Sequence, residues 1–263
     1  MVQKLDRSLS KVEAALAERS VTIMLHEARK AIKEYRALLR LIDTPEAKQA
    51  RRAAADAARS LSSARDRQAC RDAVAALLEA ALITAEDAAQ IIEHIGPDDS
   101  QGVEAAVHRE TLQRWLSQAH DLHGTHLRAQ AMKADISRGL REAYLQARKV
   151  RNWEEAEHLH DLRKRVVVHR YQMSFFAAIS GGRFLRRVEK AQKLREILGG
   201  YQDLETLKQF LADRPAQHVE VHDQVIDAGR LYQGRLLKQA RRLHEKLFHR
   251  KPVRFGARVR LEE

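Results

Sequence analysis

The chain has 263 residues, with 48 Lys and Arg against 36 Asp and Glu, and carries a formal charge of +12 at pH 7. A single cysteine excludes an internal disulfide framework and a cysteine-built zinc cluster, which points to a reducing compartment. No run approaches the roughly 20 apolar residues that span a bilayer, so no membrane partner is expected. Only 11 Gly and 4 Pro punctuate a background of Ala, Leu, Arg, Lys, Glu and Gln, so the expected fold class is all-α and the expected partners are acidic. The N-terminus MVQKLDRSLS lacks the apolar core of a secretory signal, and a cytoplasmic protein is the default expectation.

In chain order, Leu5, Leu9, Val12 and Leu16 predict a short amphipathic helix. Ser20 and Thr22 are candidate caps for a long helix with two unlike faces. His26, Arg29, Lys30, Lys33, Arg36 and Arg40 fall within an arc of about 120°, while Leu25, Ala28, Ile32, Tyr35, Leu38, Leu39 and Ile42 take much of the opposite side. One face is thus a basic rail. Thr44 as N-cap and Pro45 at the first helical position open the next helix, which is Ala-rich and carries Lys48, Arg51, Arg52 and Arg59. A corner at Ser62 to Asp66 leads to a helix through Leu78, and Thr84-Ala85-Glu86-Asp87 caps another that runs to Ile95. Gly96-Pro97-Asp98-Asp99-Ser100 reads as a linker.

A periodic segment from Val103 to Met132 follows, with Leu112, Trp115, Leu116, Ala119, Leu122 and Leu127 as its core face. It carries His108, His120, His123 and His126, but no Cys or carboxylate completes a metal set and HExxH is absent. Past Ala134, the helix DISRGLREAYLQARKV sets Arg138, Arg141 and Arg148 near one face. Asn152 is a plausible cap for the next helix, where His160, Arg163, Lys164 and Arg170 repeat the spacing of His26, Arg29, Lys30 and Arg36.

Both motif helices lead to a second basic helix and then to an apparent turn ending in Asp, at Ser63 to Asp66 and at Gly200 to Asp203. The interval from motif His to that Asp is 40 residues in one half and 43 in the other, so an internal duplication is the economical explanation. A turn at Asp213-Arg214-Pro215 precedes a last long helix from about His218 to Phe248, on which Arg235, Lys238, Arg242, Lys246 and His249 share an arc of about 80°.

Charged helix faces are usually just solvated, yet solvated faces mix signs, and the first rail is single-signed and recurs. Nucleic acid is an alternative partner, but aromatics are 5% of the chain and do not interleave with the basic faces as stacking platforms would. An inorganic polyanion, with phosphates and no bases, fits bare rails of Arg, Lys and His best.

The pieces His26-Glu27-Ala28-Arg29-Lys30 with Lys33, Arg36 and Arg40; Gly139-Leu140-Arg141 with Tyr144 and Arg148; His160 to Arg165 with Tyr171-Gln172; Leu198-Gly199 with Gln202-Asp203; and Leu247-Phe248 before Lys251-Pro252 resemble the CHAD domain family. The resemblance covers essentially residues 1–263 as one domain. It implies two pseudosymmetric antiparallel four-helix bundles with long helices, the first over 1–132 and the second over 133–263. It also implies binding of inorganic polyphosphate and association with polyphosphate granules. The implied ligand residues are His26, Arg29, Lys30, Lys33, Arg36 and Arg40 from one half and His160, Arg163, Lys164 and Arg170 from the other, helped by Arg141 and Arg148. Lys238 and Arg242 on the last basic stripe join them as candidates. Val167 stands in the place of Lys33, so the second rail is expected to bind more weakly.

The E-x-E-x-K signature of the triphosphatase domains joined to some family members is absent, and Asp66 and Asp203 read as caps or as partners of a motif Arg. The expectation is a non-enzymatic binder with no catalytic residues, no metal and no cofactor. A metal-dependent phosphohydrolase is the less favoured alternative, and any protein partner is left open.

Overall fold

A computed structural model describes residues 1–61, 65–96, 103–122, 136–213 and 219–259. Among these the protein is all helical, with α1 (Val2–Leu16), α2 (Val21–Leu39), α3 (Pro45–Ser60), α4 (Arg65–Glu79), α5 (Ala85–Ile95), α6 (Val103–Leu122), α7 (Ile136–Arg148), α8 (Ala156–Ile179), α9 (Leu185–Ala212), α10 (Val219–Phe248) and α11 (Pro252–Val259).

Local chemistry sets the first boundaries. The Ser20 hydroxyl accepts from the Ile23 amide to start α2, and Thr44 accepts from Ala47 with Pro45 behind it to start α3. Thr84 and Asp87 close a reciprocal capping box on α5, which ends at Gly96 in a positive-φ conformation. Each such cap is worth about 1 kcal/mol.

Packing follows the apolar stripes. Ala28, Ile32, Tyr35, Leu38, Leu39 and Ile42 are buried, as the rail helix requires, and Leu112, Trp115, Leu116 and Ala119 form the inner face of α6. Tyr35 meets Trp115 edge-on, with ring centroids 6.0 Å apart. In the first half α1 packs on α2, α2 on α3, α3 on α6 and α6 on α1, which closes a circuit. In the second half α7 packs on α8, α8 on α9, α9 on α10 and α10 on α7. The two motif helices join the circuits by packing α2 against α8, while α4 and its partner α5 lie against α9 and α10.

Two expectations are corrected. Gly200 to Asp203 is not a turn, and Asp203 lies inside a helix rather than at its start, because α9 runs unbroken through them. The preceding Gly199 is selected by packing: a Cβ there would stand 3.2 Å from a guanidinium nitrogen of Arg163, so the missing side chain gives that arginine its passage. Asn152 is not the N-cap of α8. Glu155 is, and Asn152 braces the turn before it, accepting from the Glu154 amide and donating to the Glu155 carboxylate. The first-half corner at 62–64, the linker at 97–100, and Leu127, His123, His126, Arg214, Pro215 and His218 lie outside the described residues.

Candidate functional site

At its start the α2 rail is partly neutralised. His26 is exposed, with the Glu27 carboxylate 3.8 Å away, and Lys30 pairs with Glu27 at 3.2 Å. Arg29 is half-buried and Lys33 exposed. The single-signed face expected from the wheel is therefore not free of acid at this end, because Glu27 folds toward Lys30 one turn away.

Farther along, the surroundings change sign. Arg36 and Arg40 are half-buried and meet Arg51 of α3 and Arg165 of α8. Burial, then the charges of Arg51, Arg36 and Arg165, pushes the Arg40 guanidinium down to about 10. Arg36 is also held below its ordinary range, by burial and then by Arg51 and Arg59, with Asp56 opposing. Arg51 follows the same pattern through burial and Arg52, against Asp43. All remain protonated at neutral pH. Among the described residues the buried Arg36 Nε meets no acceptor, and Arg40 reaches the side-chain carbonyl of Gln146, at 3.3 Å.

Arg187 is also pushed down to about 10, chiefly by burial, but it has partners. Its Nε donates to His169 at 2.8 Å, another nitrogen donates to the Leu247 carbonyl, and the guanidinium lies 4.6 Å over the Phe255 ring. A satisfied guanidinium of that kind belongs to the core. The Arg36, Arg40 and Arg51 group is a cluster of positive charge that still has donors to give.

The α8 rail is built differently. His160 Nδ1 donates to the Gln202 side-chain carbonyl at 2.5 Å, and Arg163 donates to the same oxygen at 3.1 Å. Because that oxygen already accepts from arginine, it fixes the imidazole with its proton on Nδ1 and Nε2 outward. A shallow pocket of about 210 Å³ lies beside His160, lined by Tyr201, Gln202, Thr206 and the carboxylates Glu157 and Glu205. Lys164 pairs with Asp161 at 3.2 Å, and Val167 is half-buried. Arg170 lies 4.0 Å over the Tyr171 ring with its Nε buried and unpartnered, as is the Nε of Arg195 on α9.

The two rails run antiparallel. Tyr171 donates to the Lys30 carbonyl at 3.1 Å, the Gln172 amide donates to the Ala37 carbonyl at 3.1 Å, and Arg165 lies by Arg40, so rising numbers on α8 meet falling numbers on α2. The other candidates are dispersed. Arg141 is exposed on α7, Arg148 donates to the Phe248 carbonyl at 3.1 Å and so braces the end of α10, and Lys238 and Arg242 stand on the exposed side of α10.

Arg51 and Arg165 were not among the expected ligand residues. Arg51 was visible only as one of several cations on α3. Arg165 also donates to the Gln146 and Lys149 carbonyls at the end of α7, a role that no helical wheel displays. The histidines of α6 are structural: His108 is buried and His120 meets Glu13 at 2.9 Å. Among the described residues no group of three His, Cys, Asp or Glu could hold a metal ion, and no helix is long and apolar enough to cross a membrane.

The family model described as CHAD domain matches residues 3–212. The chain belongs to the CHAD family. No match was found among curated proteins or among solved structures. In this CHAD domain the matched segment contains both motif helices and both basic neighbours, α3 and α9, and it stops where α9 ends.

Proposed function

We propose that this CHAD domain binds inorganic polyphosphate without turning it over, with both rails engaging one chain. The observation that carries the reading is the half-buried cluster of Arg36, Arg40 and Arg51 beside Arg165. Like charges at this separation repel, and burial strengthens the repulsion. A phosphate chain would reverse it and supply acceptors to the open guanidinium donors.

The two helix circuits are read as two four-helix bundles related by a pseudo-twofold that exchanges α2 with α8. Such an axis stands normal to an antiparallel pair, and a single chain lying across it would meet both rails. Lys30 and Lys164 exchange a carboxylate for phosphate on binding. His26 and His160 add donors when protonated. A binder rather than a hydrolase is favoured because the rail carboxylates Glu27 and Asp161 are each committed to a cation, as is Asp56 beside Arg36. Residence at polyphosphate granules would follow from binding alone.

Calorimetric titration with polyphosphates of graded length, at two salt concentrations and with duplex DNA and RNA as competitors, tests this function. Affinity should climb with chain length and fall with salt, since many weak contacts add through effective concentration. Equal competition by nucleic acid at equal phosphate would replace polyphosphate as the ligand. Phosphate release with Mg or Mn would make the protein an enzyme.

A further inference from the structure

We propose that the outer face of α10 is a second polyphosphate site, so that one molecule bridges two chains. The proposal takes the ligand's chemistry from the reading of the rails; the site itself rests on separate residues.

Arg235, Lys238, Arg242 and Lys246 are all exposed, spaced three, four and four residues apart, and span about 16 Å of helix. The core side of the same stretch is Leu236, Ala240 and Leu247, all buried, with Gln233. The stripe therefore points away from the interior. Among the described residues none of the four cations has an acidic partner within ion-pair distance, and the one carboxylate on α10 beyond Arg230, Glu245, sits just outside the arc and pairs with none of them. Exposed cations elsewhere are often neutralised: Lys48 by Asp43, Arg114 by Glu110 and Arg59 by Asp56. Four unpaired cations on one face repel at these spacings. An anion removes that cost.

Position makes this a separate site rather than an extension of the first. In the circuit α7, α8, α9, α10, the helices α8 and α10 occupy opposite corners. The α10 stripe is turned away from the shared core, whereas the α8 stripe lies toward α9, where His160 and Arg163 reach Gln202. A chain lying along the α8 rail would have to pass round α7 or α9 to reach α10. The family match ends at residue 212, before α10 begins, so the stripe also lies outside the matched segment. No aromatic side chain stands among the four cations, which suits a phosphate chain without bases better than a nucleic acid strand.

The test compares the wild type with a stripe variant, Arg235→Gln, Lys238→Gln, Arg242→Gln and Lys246→Gln, and a rail variant, Arg36→Gln and Arg40→Gln. The stripe positions are exposed and Gln is a good helix former, so the fold is retained. Stoichiometry is read by native mass spectrometry with a short chain of about ten phosphates. Light scattering with long chains reads bridging.

The wild type should bind two short chains and scatter strongly with long ones. The stripe variant should bind one short chain, keep its affinity within about threefold, and lose about tenfold in scattering. An unchanged stoichiometry in the stripe variant, or one short chain on the wild type, overturns the second site while the function assigned to the rails stands. Loss of all binding in the stripe variant with none in the rail variant overturns the rails and keeps α10. A stripe that takes duplex DNA but no polyphosphate overturns the ligand named here.

Discussion

Along α2, Arg36 and Arg40 face the guanidiniums of Arg51 and Arg165, whereas along α8, His160 and Arg163 share the side-chain carbonyl of Gln202. The two helices carry the same residue types at the same spacing. Their neighbours make the difference: α3 sends charge toward its rail, and α9 sends an amide. The first rail is left in a repulsive state that an anion relieves, and the second is held in place by a neutral dipole before any ligand arrives. The second rail is satisfied at its His160 end alone, since among the described residues the buried Arg170 Nε meets no acceptor, and the more crowded first rail should contribute more of the binding.

The strongest way to break the comparison is to move the helices that create it. Gly139 on α7 lies so close to the end of α2 that a Cβ would fall 2.6 Å from the Arg40 carbonyl oxygen and 2.8 Å from the Leu41 Cα. Backbone cannot yield as a flexible side chain can. Gly139→Val should cost at least about 3 kcal/mol, seen as a lower denaturation midpoint, and should weaken polyphosphate binding with it. A midpoint equal to wild type would mean that α7 does not press on the first rail.

Acidification should act beneath the second rail. His169, on α8, accepts from Arg187 through Nε2, and burial, then the Arg187 charge, holds it well below its ordinary range. Burial also lowers His244, against the carbonyl of Ala147. Groups lowered on folding bind fewer protons in the native state, so stability is full above about pH 6.5 and falls as pH drops below it. Thermal melts between pH 8 and pH 5 should show this fall, and His169→Phe, which cannot take up the proton, should flatten it. A wild-type melting temperature constant over that range would contradict the buried neutral assignment.

A smaller effect concerns the cost of charge in the first rail. Arg40→Met should melt about 2 °C higher than wild type without ligand, because it removes a guanidinium held among others, and should melt lower than wild type once polyphosphate is present. Smallest of all, Gln202→Leu should leave His160 and Arg163 without their shared acceptor and change polyphosphate affinity by no more than about threefold, in calorimetry at fixed chain length.

The helices and several of their ends were legible because the signals are local: Ser20, Thr44 with Pro45, and Thr84 with Asp87 lie beside the backbone groups they cap. Gly200 to Asp203 misled for the opposite reason. Glycines beside Tyr and Asp read as a turn, and only the distant Arg163 explains why a small residue belongs inside a helix there. The candidate site divided in the same way. Arg36 and Arg40 were visible on the wheel of one helix, but Arg51 and Arg165 reach them from two other helices, and periodicity within one segment carries no record of such approach. The partial neutralisation of Lys30 by Glu27 was hidden because the wheel places Glu27 off the rail and ignores side-chain reach.

The central claim, that the crowded first rail is the principal anion site, is tested most directly by calorimetric titration of one polyphosphate length into Arg36→Gln with Arg40→Gln and into His160→Gln with Arg163→Gln. Losing two contacts among repelling neighbours should reduce affinity by about thirtyfold in the first variant, against about fivefold in the second. An equal loss in the two variants, or a larger one in the second, would contradict the account.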